Sequence, residues 1–370
     1  MHDVLIIGGG VIGLSLAWDL ARRGRSVRVI DRGQPGREAS WAGAGILPSA
    51  GQQAMHPYDQ LCRLASRLHP EWAAELAALT GIDTGYRRCG GIYLAHTLGE
   101  AAALAGWAAD QRAQGVSVQR LTAEELSEVE PGLGLPTRST RQRQTAYVLS
   151  EEAQLRNPWH LRALVAACSQ AGVLITPHVA AGEVRIAEGR ITAIATDAGP
   201  LRARRYCFTA GAWTGQLLAR LGIPLGVMPI RGQMVLFRCE RPPVTHIISQ
   251  GSRYLVPRED GRLLAGSTEE EVGFDKRTTE QGIAELTHFA RSLVPTLSDA
   301  AIEQTWAGLR PGSFDGLPYL GRLPGLENAY VAAGHFRSGL YLSPATAVVM
   351  SELLRDETPQ IDLAPFRVGR

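Results

Sequence analysis

The chain has 370 residues, a formal net charge of +2, an apolar fraction of 45% and a charged fraction of 20%. This near-neutral balance gives no electrostatic reason to expect nucleic acid or an anionic membrane as a partner. No apolar run reaches the roughly 18 residues of a membrane-spanning helix, and the N-terminus lacks the basic region of a signal peptide. The length predicts roughly two domains.

The cysteines and histidines indicate neither disulfides nor a metal site. The cysteine count is odd and no two cysteines are spaced as CxxC, which argues against a disulfide framework and favours a cytoplasmic location. The nine histidines form no HExxH or similar ligand spacing, so we expect no metal. The five cysteines are Cys62, Cys89, Cys168, Cys207 and Cys239.

The chain opens with a predicted strand, helix and strand, the first strand over residues 3–7 and the second over 26–30. The turn into the helix carries the GxGxxG glycines Gly8, Gly10 and Gly13. These glycines let the backbone approach a pyrophosphate at the helix N-terminus. Asp31 follows the second strand and can bond to a ribose, which predicts a bound dinucleotide. Arg32 beside it leaves NADP open.

Residues 32–56 show no clear periodicity and are rich in glycine, alanine and serine. A long structureless stretch inside a compact domain is usually functional or disordered. Its centre, residues 42–47, is too apolar for a disordered linker. We therefore expect this segment to pack along a ligand.

Helices and strands alternate from residue 57 to 222. We predict helices over 57–80, 99–114, 122–129 and 157–171, with a further helix opening at 211–213. We predict strands over 91–95, 146–149, 173–176 and 206–210, and a hairpin of 182–186 with 190–196. Pro70 is expected to kink or divide its helix, and Asn157 to be an N-cap.

From about residue 224 to 310 the pattern changes to strands. They are predicted over residues 228–238, 245–248, 254–257 and 262–265, with one helix over 279–294. This composition is typical of a mixed sheet with a large antiparallel content.

A second glycine-rich turn, from Gly334 to Gly339, follows an apolar strand over residues 330–333. A second turn at the far end of the chain favours FAD, which is longer than NAD and needs walls for its isoalloxazine ring. A helix starting near Gly339 would aim its positive end at the flavin, where negative charge accumulates on reduction. The alternative is an ordinary strand–helix unit with turn glycines.

Together these segments predict an α/β fold with two domains. An FAD-binding, Rossmann-like GxGxxG domain is expected over residues 1–83, 150–222 and 326–370. A mixed, largely antiparallel β-sheet domain for the substrate is expected to be inserted as residues 84–149 and 223–325.

Two arginines and a tyrosine are candidates for binding a carboxylate. Arg310 ends an apolar stretch before Pro-Gly, and its guanidinium is a planar fork that matches a carboxylate. Arg337 lies inside the second glycine turn, and Tyr254 lies in a predicted strand. The alternatives are surface arginines at turns and a half-buried core tyrosine.

At these residues the chain resembles the D-amino acid oxidase family of FAD enzymes, and particularly its bacterial members of the thiamine pathway that oxidise glycine. The likeness runs nearly from end to end. The motifs that carry it are IGGGVIG (7–13), AGIL (44–47), YLVPR (254–258), WAGLRP (306–311), DGLPYLG (315–321) and AGHFRSG (333–339).

The resemblance implies a role for each matching residue. Arg310 would bind the substrate carboxylate, supported by Tyr254 and Arg337. Along the adenosine and pyrophosphate would lie Val11, Ile12, Asp31 and Arg32, with the backbone of Val179 on the adenine. Beside the flavin would lie Ala39, Ser40, Ala44, Gly45 and Ile46. Covering the isoalloxazine would be His335, Phe336, Arg337, Ser338, Gly339, Leu340 and Tyr341.

Two positions depart from what the resemblance leads us to expect, and both concern the size of the substrate pocket. Ser252 stands where a histidine can occur, and Tyr341 is bulkier than the expected aliphatic residue.

The resemblance also implies an activity. It is the oxidation of glycine and other small amino acids by hydride transfer to non-covalently bound FAD, with oxygen as acceptor and hydrogen peroxide as product. A homotetramer and the supply of glycine imine for thiamine thiazole synthesis are implied as well. The alternatives are a sarcosine oxidase, a D-amino acid dehydrogenase, and a non-catalytic flavin-binding subunit.

Overall fold

The computed structural model describes residues 1–53, 55–134 and 145–370. Residues 135–144, which belong to the expected segment 84–149, lie outside the described part. The described strands form a six-stranded sheet, an eight-stranded sheet, a three-stranded sheet and a hairpin. Across the described residues, no helix combines the length and the apolar character that crossing a bilayer requires.

Helices and strands alternate along most of the chain. The helices are α1 (Val11–Arg22), α2 (Ala39–Ala42), α3 (Pro57–Thr80), α4 (Leu98–Ala113), α5 (Ala123–Val129), α6 (Asn157–Gln170), α7 (Thr214–Ala219), α8 (Glu280–Leu293) and α9 (Gly339–Leu354). Short 3₁₀ turns cover Gly211–Trp213, Pro295–Leu297, Phe336–Ser338 and Ala364–Phe366.

The strands fall into two groups by chain position. The first twelve are β1 (His2–Ile7), β2 (Val27–Ile30), β3 (Ile46–Leu47), β4 (Arg87–Arg88), β5 (Gly91–Ala95), β6 (Gln119–Leu121), β7 (Thr145–Leu149), β8 (Ala153–Gln154), β9 (Leu174–Thr176), β10 (Val184–Ala187), β11 (Arg190–Ile194) and β12 (Ala203–Phe208). The others are β13 (Val227–Arg238), β14 (Ile247–Gln250), β15 (Arg253–Pro257), β16 (Arg262–Gly266), β17 (Ala301–Ser313), β18 (Tyr319–Arg322) and β19 (Ala329–Ala333).

The six-stranded sheet has the order β18-β19-β12-β1-β2-β9 and is parallel except for β18. Its strands are apolar at successive positions because both faces are covered. Val4 and Ile6 pack against α1, α3, α6 and α9, whereas Leu5 and Ile7 pack on the other face with residues of the hairpin β10–β11. The carboxyl ends of β1 and β2 are therefore left free to face a ligand.

The eight-stranded sheet has the order β17-β13-β16-β15-β14-β5-β7-β6. Only the pair of β14 with β5 is parallel, so the expected mixed, largely antiparallel sheet is confirmed. Helix α8 packs on one face through Leu286 and Phe289. The α/β fold with a Rossmann-like GxGxxG domain and an inserted sheet domain is thus as predicted.

Four details differ from the predictions. Helix α3 continues through Pro70, because its buried face of Leu61, Leu68 and Trp72 packs on α9. Asn157 is the first residue of α6 rather than its N-cap, since its side-chain amide donates to the carbonyl of Ser40. Strand β17 carries Arg310 inside a long pairing with β13, not at a turn.

The fourth difference concerns the expected domain boundary between residues 325 and 326. Strand β18 lies on the amino-terminal side of this boundary, yet it pairs antiparallel with β19 in the six-stranded sheet. The pairing is possible because the turn between β18 and β19 is short. The six-stranded sheet therefore contains strands from both sides of the expected boundary.

Candidate active site

A cavity of about 760 Å³ lies between the two large sheets. It extends from the carboxyl ends of β1 and β2, past α2, to strands β13 and β17. The start of α9 forms part of its wall. A cavity bounded by the GxGxxG turn and by the second sheet is placed to hold a dinucleotide with a substrate beside it.

The turn between β1 and α1 needs its glycines for close packing. Gly8 has φ +116°, and a Cβ there would lie 2.5 Å from the carbonyl oxygen of Thr209. A Cβ on Gly13 would lie 2.0 Å from the carbonyl oxygen of Gly8, so Gly13 packs in the turn and does not line the cavity. Helix α1 has no acidic residue in its first turn and no side-chain cap. Its N-terminus therefore offers a site for an anion at the cavity wall.

Asp31 organises the loop beside this turn. One carboxylate oxygen accepts a hydrogen bond from the Gly9 amide at 2.8 Å, and the other accepts from the Gly33 amide at 2.8 Å. The Val179 amide donates to the carbonyl of Asp31, which brings Val179 to the cavity. The guanidinium of Arg32 lies 3.7 Å from the ring centroid of Trp213, which also lines the cavity.

The segment after α2 is fixed by a buried arginine. Arg258 donates to the carbonyl of Ala44 at 2.7 Å, to the carbonyl of Leu155 at 3.0 Å and to Oε1 of Gln154 at 2.6 Å. Burial lowers the pKa of Arg258 to about 10, so the group stays charged. Its hydrogen-bond partners in the described structure are neutral oxygens only. Arg258 therefore holds the cavity wall at Ala44 through charge-assisted hydrogen bonds.

Other contacts fix the same wall. Gly45 has φ +79°, and a Cβ there would lie 2.0 Å from the carbonyl oxygen of Leu155. The hydroxyl of Ser40 accepts from the Val11 amide at 2.9 Å and so connects α2 to α1. Ala39, Ser40, Ala44, Gly45 and Ile46 all line the cavity.

The second glycine turn leads from β19 into α9. Gly334 has φ +74° and packs against the ring of Tyr319, whereas residues 335–341 line the cavity. Helix α9 has neither a side-chain cap nor an acidic residue in its first turn. Its N-terminus faces the cavity at Gly339 and Leu340, so this end of the cavity also favours negative charge.

Two side chains near the start of α9 are packed inward. His335 is buried, its Nε2 is 3.1 Å from the hydroxyl of Thr346, and burial lowers its pKa to about 3. The imidazole is therefore neutral at ordinary pH. The hydroxyl of Tyr341 lies 2.8 Å from that of Ser66 and donates to the carbonyl of Cys62. The bulk of Tyr341 is thus held by α3.

The candidate carboxylate-binding residues line the part of the cavity formed by the second sheet and the start of α9. Arg310 donates to the hydroxyl of Ser267 at 2.6 Å and to the carbonyl of Thr268 at 3.2 Å. Neither partner is charged, and no carboxylate of the described residues forms an ion pair with Arg310. A guanidinium has five N–H donors, so Arg310 retains donors for a ligand.

Arg337 and Tyr254 also line this part of the cavity. Arg337 lies 3.4 Å from a carboxylate oxygen of Glu269 and donates to the carbonyl of Ser252 at 3.2 Å. Tyr254 directs its hydroxyl at the sulfur of Met234, 3.6 Å away. All the sequence-predicted site residues therefore line one cavity, except Gly13 and Gly334, which shape the turns.

Sequence reasoning missed several cavity residues. Thr209, Trp213 and Gly232 come from parts of the chain far from the glycine turns. Tyr93 lies on β5, and Met234 lies on β13. The only local indication of Thr209 and Trp213 is the apolar strand that precedes residues 209–213. Contacts that residues make with a cavity across a sheet produce no periodic pattern in the sequence.

The chain matches the model of the FAD dependent oxidoreductase family, DAO, over residues 3–353. The chain belongs to this family. It is therefore an FAD-dependent enzyme, and the glycine oxidases are its relatives. A glycine oxidase of Pseudomonas putida is 36% identical over 369 residues, covering 98% of this chain and 97% of the relative.

Two further matches agree with this assignment. The crystal structure of glycine oxidase from Geobacillus kaustophilus superposes with a TM-score of 0.93 at 34% identity, covering 100% of this chain and 98% of that one. A protein of Synechocystis named bifunctional protein ThiO/ThiG is 35% identical over 364 residues, covering 96% of this chain and 52% of the relative.

The residues present fit FAD. Two uncapped helix N-termini, those of α1 and α9, face the cavity, which suits the negative charge of a pyrophosphate and of a reduced flavin. A side chain at Gly8 or Gly45 would clash with backbone atoms, so these glycines allow the backbone to pack closely at both cavity walls. No cysteine lines the cavity in the described part of the chain, which agrees with non-covalent binding.

Proposed function

We propose that this protein oxidises glycine and other small amino acids, including sarcosine and small D-amino acids. The products are the 2-oxo acid, ammonia or an amine, and hydrogen peroxide. The observation that carries this proposal is Arg310, a guanidinium on the cavity wall with two neutral partners and free donors. The similarity to glycine oxidases in sequence and structure supports it.

Arg310 is placed to bind the substrate carboxylate as a planar fork. Arg337 can add a second charge, because its contact with Glu269 is long and both side chains are partly exposed. Tyr254 can supply a hydroxyl next to them. These three groups orient the substrate, and orientation supplies much of the rate acceleration of a two-reactant step.

Bound FAD supplies the hydride acceptor, flavin N5, and oxygen removes the electrons from it. The protein contributes binding and orientation of the amino acid. His335 is uncharged at neutral pH, because burial lowers the pKa of its imidazole to about 3. For the cofactor-binding residues that line the cavity, we propose the roles that the family resemblance implies.

We also propose that the imine formed from glycine supplies thiamine thiazole synthesis, as the family resemblance implies. The relative named ThiO/ThiG supports this, since the present chain covers about half of that bifunctional protein. A homo-oligomer, tetrameric by resemblance, and a cytoplasmic location belong to the same proposal. For the domains we propose the segments expected from the sequence, 1–83, 150–222 and 326–370 for FAD and 84–149 and 223–325 for the substrate, with strand β18 of the latter paired to the six-stranded sheet.

The proposed activity is tested by the visible absorbance of the purified holoenzyme. Anaerobic glycine is expected to bleach the flavin band, and readmitted air to restore it quickly with release of peroxide. Bleaching by sarcosine or D-alanine alone would move the assignment to an oxidase of that substrate. Bleaching with slow recovery in air would indicate a dehydrogenase. A flavin band that no amino acid bleaches would indicate a non-catalytic flavin-binding subunit.

A further inference from the structure

Tyr93 lies on the cavity wall in the same register as the substrate-side tyrosine. Tyr93 on β5 is paired with Ser249 on β14, and Ser249 is paired with Tyr254 on β15. All three residues line the cavity. Adjacent strands are about 4.8 Å apart, so Tyr93 lies two strands, or roughly 10 Å, from Tyr254 along this row. Ser249 and Tyr93 therefore extend the polar lining of the cavity beyond the carboxylate-binding residues.

Behind Tyr93 lies a buried carboxyl group. The side chain of Glu152, which is 1% exposed, accepts a hydrogen bond at Oε1 from the Tyr93 hydroxyl at 2.5 Å. Its other oxygen, Oε2, is buried and has no hydrogen-bond partner in the described structure. A Cβ at position 91 would lie 1.9 Å from Oε2, so Gly91 leaves the space that this carboxyl occupies. Within the described part of the chain, the one side chain that bonds to this carboxyl group is that of Tyr93, which lines the cavity.

Among the residues that the structure describes, no cation is in hydrogen-bond contact with Glu152. Arg88 forms its ion pair with Glu151 at the surface. His246, which lies beside Gly90, is bonded to Glu130. Cys89 accepts a hydrogen bond from Gln154.

Burial raises the pKa of Glu152 to about 7, although the hydrogen bond from Tyr93 opposes this shift. Burial likewise raises the pKa of Tyr93, with the neighbouring Glu152 charge adding to the effect. Glu152 therefore takes up a proton near neutral pH, whereas Tyr93 keeps its own proton and can transmit one.

We propose that Tyr93 and Glu152 accept the proton that a bound amino acid must lose from its ammonium group before its Cα–H bond can react. This inference rests on the proposed amino acid oxidation and deepens it. An ammonium N–H bond breaks, and the proton reaches the Tyr93 oxygen through cavity water beside Ser249. The Tyr93 O–H bond breaks as an O–H bond forms on Glu152. Ammonium and carboxylate thereby become amine and carboxylic acid, with no change in total charge.

The test compares the pH dependence of anaerobic flavin reduction by glycine in four holoenzymes. They are the unmodified protein, Glu152→Gln, Tyr93→Phe and the control Glu130→Gln. Glu130 is also a buried carboxylate of the sheet domain, but it does not line the cavity. An infrared pH titration of the carboxylic acid C=O band is recorded on the same proteins, because it reports Glu152 without any turnover.

At pH 8 the Glu152→Gln and Tyr93→Phe enzymes are expected to reduce flavin about a hundredfold more slowly, at the low end of general-base contributions. The deficit should narrow above the substrate's own amine pKa, where free amine binds directly. It should narrow again well below pH 7, where Glu152 is protonated. Glu130→Gln should keep the unmodified profile, and the infrared band titrating near pH 7 should vanish only in Glu152→Gln.

Each contrary result has a distinct meaning. An unmodified enzyme that no amino acid reduces would overturn both this inference and the proposed function. An active enzyme whose profile is unchanged in Tyr93→Phe would overturn the proton route alone, even if Glu152→Gln does not fold. A deficit that is the same at every pH would show a structural role and overturn the inference. A missing infrared band would overturn Glu152 as the acceptor.

Discussion

The guanidinium of Arg310 lies directly over Gly232 on the neighbouring strand. A Cβ at position 232 would be 2.2 Å from Nη1 and 2.3 Å from Nη2. The two residues lie on β17 and β13, which pair over almost their whole length. The guanidinium of Arg310 can occupy this position because residue 232 on the neighbouring strand has no side chain.

Gly232→Ala is expected to push the Arg310 fork out of position and to raise KM for glycine about tenfold. FAD retention should not change, because the atoms nearest to the added Cβ are those of the Arg310 guanidinium. KM and the flavin content of the purified enzyme measure the two effects. Gly106→Ala, in α4 with open space at its Cβ, is the matched control. It should keep KM and stabilise the fold by about 0.5–1 kcal/mol. An unchanged KM in Gly232→Ala would contradict the position assigned to the fork.

Arg310→Lys is expected to keep FAD and to raise KM for glycine by about 10- to 150-fold. The physical reason is the loss of a bidentate, charge-assisted contact of about 1.5–3 kcal/mol, since ammonium is a point donor. Steady-state kinetics at fixed oxygen measure the change. Arg238→Lys, an exposed arginine at the end of β13, is the control and should leave KM as it is. Equal KM values in Arg310→Lys and the unmodified enzyme would contradict the proposal that Arg310 binds the substrate carboxylate.

Arg258→Met is expected to weaken FAD binding about tenfold or more. The change leaves the carbonyls of Ala44 and Leu155 without their donor, and each unsatisfied buried acceptor costs about 1–3 kcal/mol. The dissociation constant of FAD and the urea-unfolding free energy of the apoprotein are the measurements. Arg262→Met is the control, because its partners Asp260 and Glu303 are partly exposed and such pairs contribute about 0–1 kcal/mol. If both variants bound FAD equally well, Arg258 would have no part in holding the cofactor wall.

Asp31→Ala is expected to release FAD more readily than Asp31→Asn, with the unmodified protein the tightest of the three. The alanine leaves the Gly9 and Gly33 amides without their acceptor, whereas asparagine retains one side-chain oxygen. FAD retained through gel filtration and its dissociation constant measure the order. Asp3→Ala removes a carboxylate near the start of β1 and should leave FAD binding unchanged. A tighter FAD complex in Asp31→Ala would refute the proposed role of the acid.

Stability at acid pH is expected to depend on Glu270. Burial would raise its pKa, but hydrogen bonds from Arg231, Thr268 and Gln233 outweigh burial and lower the pKa to about 2. A carboxyl group with a lowered pKa in the folded state stabilises the fold above its unfolded pKa, here about 4.5. That contribution is lost as the pH falls from about 4.5 to about 2.

Glu270→Gln should therefore be less stable than the unmodified protein at pH 7, and the difference should shrink below pH 4.5. Urea-unfolding free energies at pH 7, 5, 4 and 3 measure the trend. Glu271→Gln, the exposed neighbour, should show no such trend. A stability difference that grows toward acid pH would reverse the assigned sign.

Local signals predicted the first unit of the fold well. The GxGxxG turn, its strands and Asp31 lie within residues 2–31, so their spacing reflects one continuous piece of structure. Arg310 was found because its side chain type and its Leu and Pro-Gly neighbours are unusual. The pattern did not show that it lies inside a strand, because Pro311 and Gly312 imitate a turn although β13 pairs with both.

Long-range contacts account for what the sequence did not reveal. Arg258 acts on Ala44, 214 positions away, and nothing beside it in sequence indicates a buried guanidinium. The place of Glu152 depends on Gly91 and Tyr93, which lie on another strand. Strand β18 joins the first sheet through β19, although the strands before it belong to the second sheet. Such pairings depend on register between distant segments, which periodicity does not encode.

The two glycine turns that face one cavity come from opposite ends of the chain, around Gly10 and Gly339. Between β1 and β19 in the first sheet lies only β12, so the cofactor-binding surface that starts at the first glycine turn is closed by a strand and a helix far along the chain. On the ribosome, the whole stretch between the two turns must therefore emerge before FAD has a complete place to bind. Cofactor loading then requires two distant segments to meet, and it follows the synthesis of the chain between them rather than guiding it.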